Sequence, residues 1–572
     1  MTLAARARGL GTAVSAVVLA AGLALLLVWP LAEGVRGAFV DGDGHFTWRY
    51  LAAVFQNPIY REGFVNALSV GVASTLCATA LGLGVALLID RADFPGKRWL
   101  RALVPLPLMV PPFVGALGIK QLVGREGAVN ALLTHLGLMA ADHPIDWLRA
   151  GRFPVVVGLT ALHLYPIVYF NVSAALGGLN VEMEEAARGL GCRGWRLLWR
   201  VTLPSIHPSV FAATSLVFIW AFTELGVPLM CDYNRVTSVQ IFLGLKDIAH
   251  NPFVHGLVVV TLVATVGLYA AARRLVGRRA PTGVAPGKGV RLRRPHRPSR
   301  PAQAGLTALL VVIVGVAALP NLSVVLLAFS RDWYASVLPS SLTLDHLRAA
   351  IGHPLVVPSI GNSLRYVALS TGFDLLAGTA IALFIVRSRS RVAALMDAAA
   401  MLPLAVPGLV MAFGYLAISQ PGRPLAFLDP RRDPTALLVI AYAVRRLPFV
   451  VRSAVAGLGQ IARAMEEAAA SLGAGAVRTF ARVTLPLLGP HLLAGGVFAF
   501  ALSMLEVSDS LILAQREATH PITRAIYDLF QLLGDGRQLA AALGLWAMAF
   551  LIASVAFARS ILGRKLGRIF RL

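Results

Sequence analysis

Twelve apolar runs, each close to the twenty residues needed to cross a hydrocarbon core, divide this chain. They lie near 10–31, 64–89, 102–122, 153–177, 208–230 and 253–272, then 304–329, 362–386, 396–418, 434–457, 490–513 and 538–562. Helices satisfy every backbone group inside a bilayer, so the pattern predicts an all-α membrane protein of about twelve spans in two groups of six. The first run follows Arg6 and Arg8 as a signal peptide would. Its length and the lack of a small-residue cleavage site predict a retained helix instead.

Between the runs, one polar phrase occurs twice. Glu185-Ala186-Ala187, Gly191 and Val201-x-Leu203-Pro204 return as Glu467-Ala468-Ala469, Gly473 and Val483-x-Leu485-Pro486, all displaced by 282 positions. Earlier in each half the displacement is 296, pairing Asn66 with Asn362, Pro107 with Pro403, Pro111 with Pro407 and Gly118 with Gly414. Fourteen extra residues in the first half fall around Gly124–Arg152. The chain is therefore expected to be a fused duplication: a first half at 1–272, a basic linker at 273–303 and a second half at 304–572. With an even number of spans in each, the copies keep one orientation about an axis along the membrane normal.

Composition changes the picture only by excluding other classes. Hydrophobic residues make up 57%, charged residues 14%, and the mean hydropathy is +0.72, more apolar surface than a soluble core buries. The net charge of +24 could suggest nucleic acid. The basic residues instead sit at span ends, as in Arg91, Lys97, Arg98 and Arg101, or Arg387, Arg389 and Arg391, and in the acid-free linker. That distribution orients spans, and it places the repeated loops, the linker and both termini in the cytoplasm. Cys77, Cys192 and Cys231 form no pair at metal or disulfide spacing.

The repeated loops at 182–204 and 464–486 have a readable local structure. Glu182 to Arg188 favours helix, Glu184 and Glu185 (Glu466 and Glu467 in the second copy) place acid at its start, and Gly191 is set to close it in a left-handed cap. The paired small residues Ala186 and Ala187 permit close approach of another surface. Beyond the glycine, Trp195, Leu198 and Trp199 alternate with Arg196 and Arg200, predicting a second element in the membrane interface.

This phrase resembles the signature loop of the membrane subunits of bacterial binding-protein-dependent ABC importers, with Val201 and Val483 in place of an isoleucine. The resemblance covers nearly the whole chain, and the fused layout is similar to iron(III)-type and thiamine-type permeases. It implies a type I importer fold in the bacterial inner membrane. It also implies that Glu184, Glu185, Ala186, Ala187, Gly191, Leu203 and Pro204, with Glu466, Glu467, Ala468, Ala469, Gly473, Leu485 and Pro486, couple to two cytoplasmic ATPase subunits, with a soluble binding protein on the other face. The chain has no phosphate-binding loop, so ATP and magnesium are expected to be used by the partner; no cofactor, metal or catalytic residue is expected here.

Ionisable residues inside spans cost about 2.5–3.5 kcal/mol at the helix centre, which makes each a functional candidate. Glu224 and Glu506 are matched by the repeat, Asp374 pairs with Ala78, and Asp509 follows Glu506 by one turn. They are candidates for the substrate path, with helix capping or packing as the plain alternative. The segment from Gly226-Val-Pro-Leu-Met to Gln240-Ile-Phe looks most like the iron(III) branch, which ranks iron(III) first as cargo, ahead of thiamine, a phosphonate or a polyamine. A proton-coupled major-facilitator carrier also has twelve spans in two parallel halves, but the faint motif Gly84 to Arg98 has the wrong spacing and does not recur.

Overall fold

The computed structural model describes residues 16–41, 43–179, 181–245, 252–277, 297–388 and 391–562. The terminal basic residues Arg6, Arg8, Arg564, Lys565 and Arg568, Arg389, and positions 278–296 of the expected linker lie outside the described residues. The described residues are helical almost throughout, with a small antiparallel ladder joining Ser330–Asp332 to Ser341–Leu342 and an isolated bridge between Val40 and Phe46. Among the described residues nine helices are long and apolar enough to cross a membrane, and two bent pairs raise the number to eleven. The expected tenth span is also a helix, Thr435–Gln460, but Arg445, Arg446 and Arg452 leave no stretch of it apolar enough to count.

Both bent pairs sit where the sequence places prolines inside an apolar run. The third span breaks between Lys97–Leu108 and Pro112–His135 with a bend of 98°, and the ninth between Arg391–Leu404 and Gly408–Ile418 with a bend of 100°. Each first piece ends in a tight 3-10 turn, Leu106–Met109 or Leu402–Leu404. Pro111 and Pro407 then adopt extended backbone, ψ 133° and 137°, and start the second piece. A proline lacks the N–H that would continue the ladder, so two helices result where one apolar run was read.

The helices form two compact units. The first comprises Pro58–Gln240 and Val263–His346; the second comprises Met1–Asn57, Ile241–Leu262 and Leu347–Arg571. In the first unit the second span, Pro58–Arg91, packs on the fourth, Trp147–Gly177, around buried Ala78, Ile89, Tyr165, Val168 and Val217. Gly82 permits this approach, because a Cβ there would meet the Tyr165 carbonyl and the Val168 side chain. In the second unit the eighth span, Val356–Arg387, packs on Thr435–Gln460 with Gly378 facing Val450, the same contact 296 and 282 positions on.

Each unit takes its opening span from the other half of the chain. Arg300–Phe329, the seventh span, lies in the first unit, where a Cβ on Gly118 would strike the Pro320 carbonyl and Ser323 Oγ donates to the Gly118 carbonyl at 3.0 Å. Ala16–Arg36, the first span, lies in the second unit, where Gly414 meets the backbone of Pro30 and Tyr415 Oη donates to the Leu26 carbonyl at 2.7 Å. Arg423 pairs with Glu33 at 2.7 Å beside that contact. The two covering spans thus meet their partners through the same repeat-matched glycine.

Candidate coupling loops and a buried charge cluster

The repeated phrase folds into the same short helix twice, Val181–Gly189 in the first unit and Arg463–Ser471 in the second. Gly191 and Gly473 follow in the left-handed region, φ 81° and 82°. The Cys192 N–H donates to the Ala187 carbonyl at 2.9 Å and the Ala474 N–H to the Ala469 carbonyl at 3.0 Å, closing each helix end. Glu185, Ala186, Glu467 and Ala468 are exposed, while Ala187 and Ala469 are half-buried. Just before each capping glycine stands a bare leucine: Leu190 and Leu472 are both 89% exposed.

The second predicted element does not form as a separate interfacial helix. Gly194–Leu197 runs through a wide π turn, Leu198–Thr202, directly into the fifth span, Leu203–Phe222. The other copy does the same with Ala476–Thr479, Phe480–Thr484 and Leu485–Met504. Pro204 and Pro486 fall at the start of the resumed α-helix, where a missing N–H is tolerated. Leu203-Pro204 and Leu485-Pro486 therefore mark the joint between loop and span.

Glu184 and Glu466, the residues before the motif glutamates, face inward. Glu184 Oε1 lies 3.3 Å from Arg91 Nη2 and accepts from Thr202 Oγ1 at 2.8 Å. Glu466 Oε1 lies 2.8 Å from Arg387 Nη2 and accepts from Thr484 Oγ1 at 3.0 Å. Sequence reasoning missed these partners. The arginines read as orienting charges, and the threonines occupied the position treated as variable in Val-x-Leu-Pro.

The four acids within spans separate into different environments. Glu224 Oε1 accepts the backbone N–H groups of Gly226 and Val227 at 3.0 and 3.3 Å, capping Gly226–Met230 where the fifth span breaks. Glu506 Oε1 repeats this with Ser508 and Asp509 at 3.1 and 3.4 Å, capping Ser508–Leu513. Glu506 also lies between two guanidiniums, with Arg445 Nη1 at 2.5 Å from Oε1 and Arg446 Nη2 at 2.5 Å from Oε2. Asp509 joins through Arg445 at 3.3 Å. Asp374, fully buried on the eighth span, has no hydrogen-bond partner on either oxygen among the described residues and interacts electrostatically with Arg446.

This cluster belongs to the second unit alone, because the positions matched to Arg445 and Arg446 are His163 and Leu164. His163 Nδ1 instead sits 2.8 Å from the Pro107 carbonyl released by the break in the third span. Both arginines were discoverable by the rule that selected the acids, being ionisable residues inside an expected span. Asp232 pairs with Lys120 at 2.7 Å.

Comparison with known proteins identifies two regions of the chain. The family described as the binding-protein-dependent transport system inner membrane component matches residues 78–280 and again 374–568. The chain is similar to the ferric transport system permease protein FbpB of Actinobacillus pleuropneumoniae, 26% identical over 498 residues, spanning 84% of this chain and 67% of that protein. It is similar over shorter stretches to the sulfate transport system permease protein CysW of Synechococcus elongatus, 35% identical over 202 residues, 35% of this chain and 66% of the relative. The molybdenum transport system permease protein ModB of Mycobacterium tuberculosis is 29% identical over 235 residues, covering 40% of this chain and 86% of the relative.

Proposed function

Because this chain belongs to the binding-protein-dependent transport system inner membrane component family, in two fused copies, we propose that as an ABC importer permease it carries iron(III) inward. One ATPase subunit docks on each short helix, Val181–Gly189 and Arg463–Ser471, and one binding protein delivers cargo on the opposite face. The observation that carries the docking is the matched pair of exposed helices, each closed by a left-handed glycine and each ending in an exposed leucine. A protruding apolar side chain beside small residues and a glutamate suits insertion into a partner's cleft.

The cargo reading rests on different support. The ferric transport relative is matched along most of this chain, while the sulfate and molybdenum relatives match about half of it or less. Both termini and both docking helices are assigned to the cytoplasm on the arginine-rich span ends.

The test is uptake by proteoliposomes holding the permease, its ATPase and its binding protein. Iron(III) accumulation that requires ATP, and that falls in Glu185→Ala with Glu467→Ala, supports the reading. Uptake of molybdate or sulfate instead of iron(III) overturns the cargo; uptake driven by a proton gradient without ATPase overturns the coupling.

A further inference from the structure

Each docking helix is tied down by one carboxylate at a junction of three segments. In the first unit Arg91 is the last residue of the second span, Glu184 sits in the docking helix, and Thr202 ends the π turn that feeds the fifth span. Arg91 Nη2 reaches both partners, at 3.3 Å from Glu184 Oε1 and 2.5 Å from Thr202 Oγ1, while Thr202 itself donates to Glu184 at 2.8 Å. In the second unit Arg387 ends the eighth span, Glu466 sits in the docking helix, and Thr484 ends the corresponding π turn. Arg387 and Thr484 converge on the same oxygen, Oε1, at 2.8 and 3.0 Å.

The match is independent at three points. Arg91 and Arg387 are related by the 296 displacement of the early repeat, Glu184 and Glu466 by 282, and Thr202 and Thr484 by 282. The side chain of Glu184 is 4% exposed and that of Glu466 23%, and each is followed by an exposed glutamate that points elsewhere. Charge-assisted hydrogen bonds in such sheltered positions are about twice as strong as neutral ones. The wide turn matters too, since a π turn adds a residue and permits local adjustment of a helix without breaking it.

We propose that Glu184 and Glu466 are positioning residues, fastening each ATPase-facing helix to the end of one span and the start of another, so that a displacement of the helix moves both spans. The proposal rests on the docking role given above. The exposed Glu185 and Glu467 hold the partner; the inward-facing Glu184, buried, and Glu466, half-buried, transmit its motion. Loss of the inner carboxylate leaves a docked ATPase whose strokes no longer reach the membrane.

The full complex in proteoliposomes, with its ATPase and binding protein, provides the test. In Glu184→Ala with Glu466→Ala, co-purified ATPase is expected to stay within twofold of wild type while cargo imported per ATP hydrolysed falls at least tenfold. Thr202→Val with Thr484→Val, which keeps shape and removes only the hydroxyls, is expected to lower the same ratio by a smaller factor. The exchanged pairs Arg91→Glu with Glu184→Arg and Arg387→Glu with Glu466→Arg are expected to recover part of it. Wild-type coupling in both the alanine and valine variants overturns the proposal. So does loss of bound ATPase from properly folded alanine variants, judged by unchanged thermal midpoints. If the alanine variants do not fold, the ratio in the valine variants decides. A wild-type permease that binds no ATPase overturns the docking role itself, a failure distinguishable from that of the clamp.

Discussion

Gly414 has no room for a side chain because the backbone of Pro30, almost four hundred positions earlier, lies where a Cβ would point. Gly118 stands in the same relation to the carbonyl of Pro320. Replacing either glycine by valine is expected to push the covering span away and destabilise the protein by about 1–3 kcal/mol, the usual cost of overpacking. Gly84→Ala, at an open helical position, is expected to gain up to about 1 kcal/mol. Thermal unfolding in detergent measures both directions.

The left-handed glycines can be probed locally. Gly191→Ala or Gly473→Ala forces an L-residue into a conformation that costs about 1–2 kcal/mol. Amides in the docking helix are then expected to exchange with deuterium about tenfold faster, with the spans unaffected. Asparagine at the same positions, which tolerates this backbone, is expected to show a smaller change.

Leu190 and Leu472 make almost no contacts with their own chain, so Leu190→Ser with Leu472→Ser is expected to leave the thermal midpoint unchanged. If each leucine is buried by an ATPase subunit, about 1.5–3 kcal/mol of apolar burial is lost per site. Titration of the ATPase against the purified variant is expected to show about 10–100-fold weaker binding.

The matched acids Glu224 and Glu506 are expected to respond unequally. Glu224→Ala removes a helix cap, a loss of about 1 kcal/mol. Glu506→Ala removes a cap and also leaves Arg446 buried beside Arg445 without its carboxylate, a loss of about 3–5 kcal/mol. Thermal unfolding of the two variants, with uptake measured below their midpoints, separates a bracing role from a place in the substrate path. Equal destabilisation would contradict the geometry.

The docking helices were legible because their determinants are local: helix formers, a capping glycine and a spacing that occurs twice. The clamp was half legible. Val201-Thr202-Leu203-Pro204 recurs letter for letter as Val483-Thr484-Leu485-Pro486, but its meaning required Arg91, 93 positions before Glu184, and Arg387, 79 positions before Glu466. Arg445 and Arg446 were legible as ionisable residues inside an expected span, but the repeat gives them no emphasis, since their matched positions are His163 and Leu164. Prolines recur at matched positions of the third and ninth spans, yet they do not announce bends near 100°, because the angle depends on what packs in the corner. Hydrophobic runs name no partner, so the placement of the first and seventh spans was not readable at all.

That exchange of opening spans has a consequence for synthesis on the ribosome. Translation delivers the first span long before Gly408–Ile418 exists to receive it, and the Gly118 face is complete only once Arg300–Phe329 has been inserted. Neither unit can therefore mature as an N-terminal fragment, and a nascent chain interrupted near its middle exposes two unfinished helix surfaces to membrane proteases. Fusion of the halves into one polypeptide guarantees that the missing span always arrives, in a ratio of one to one.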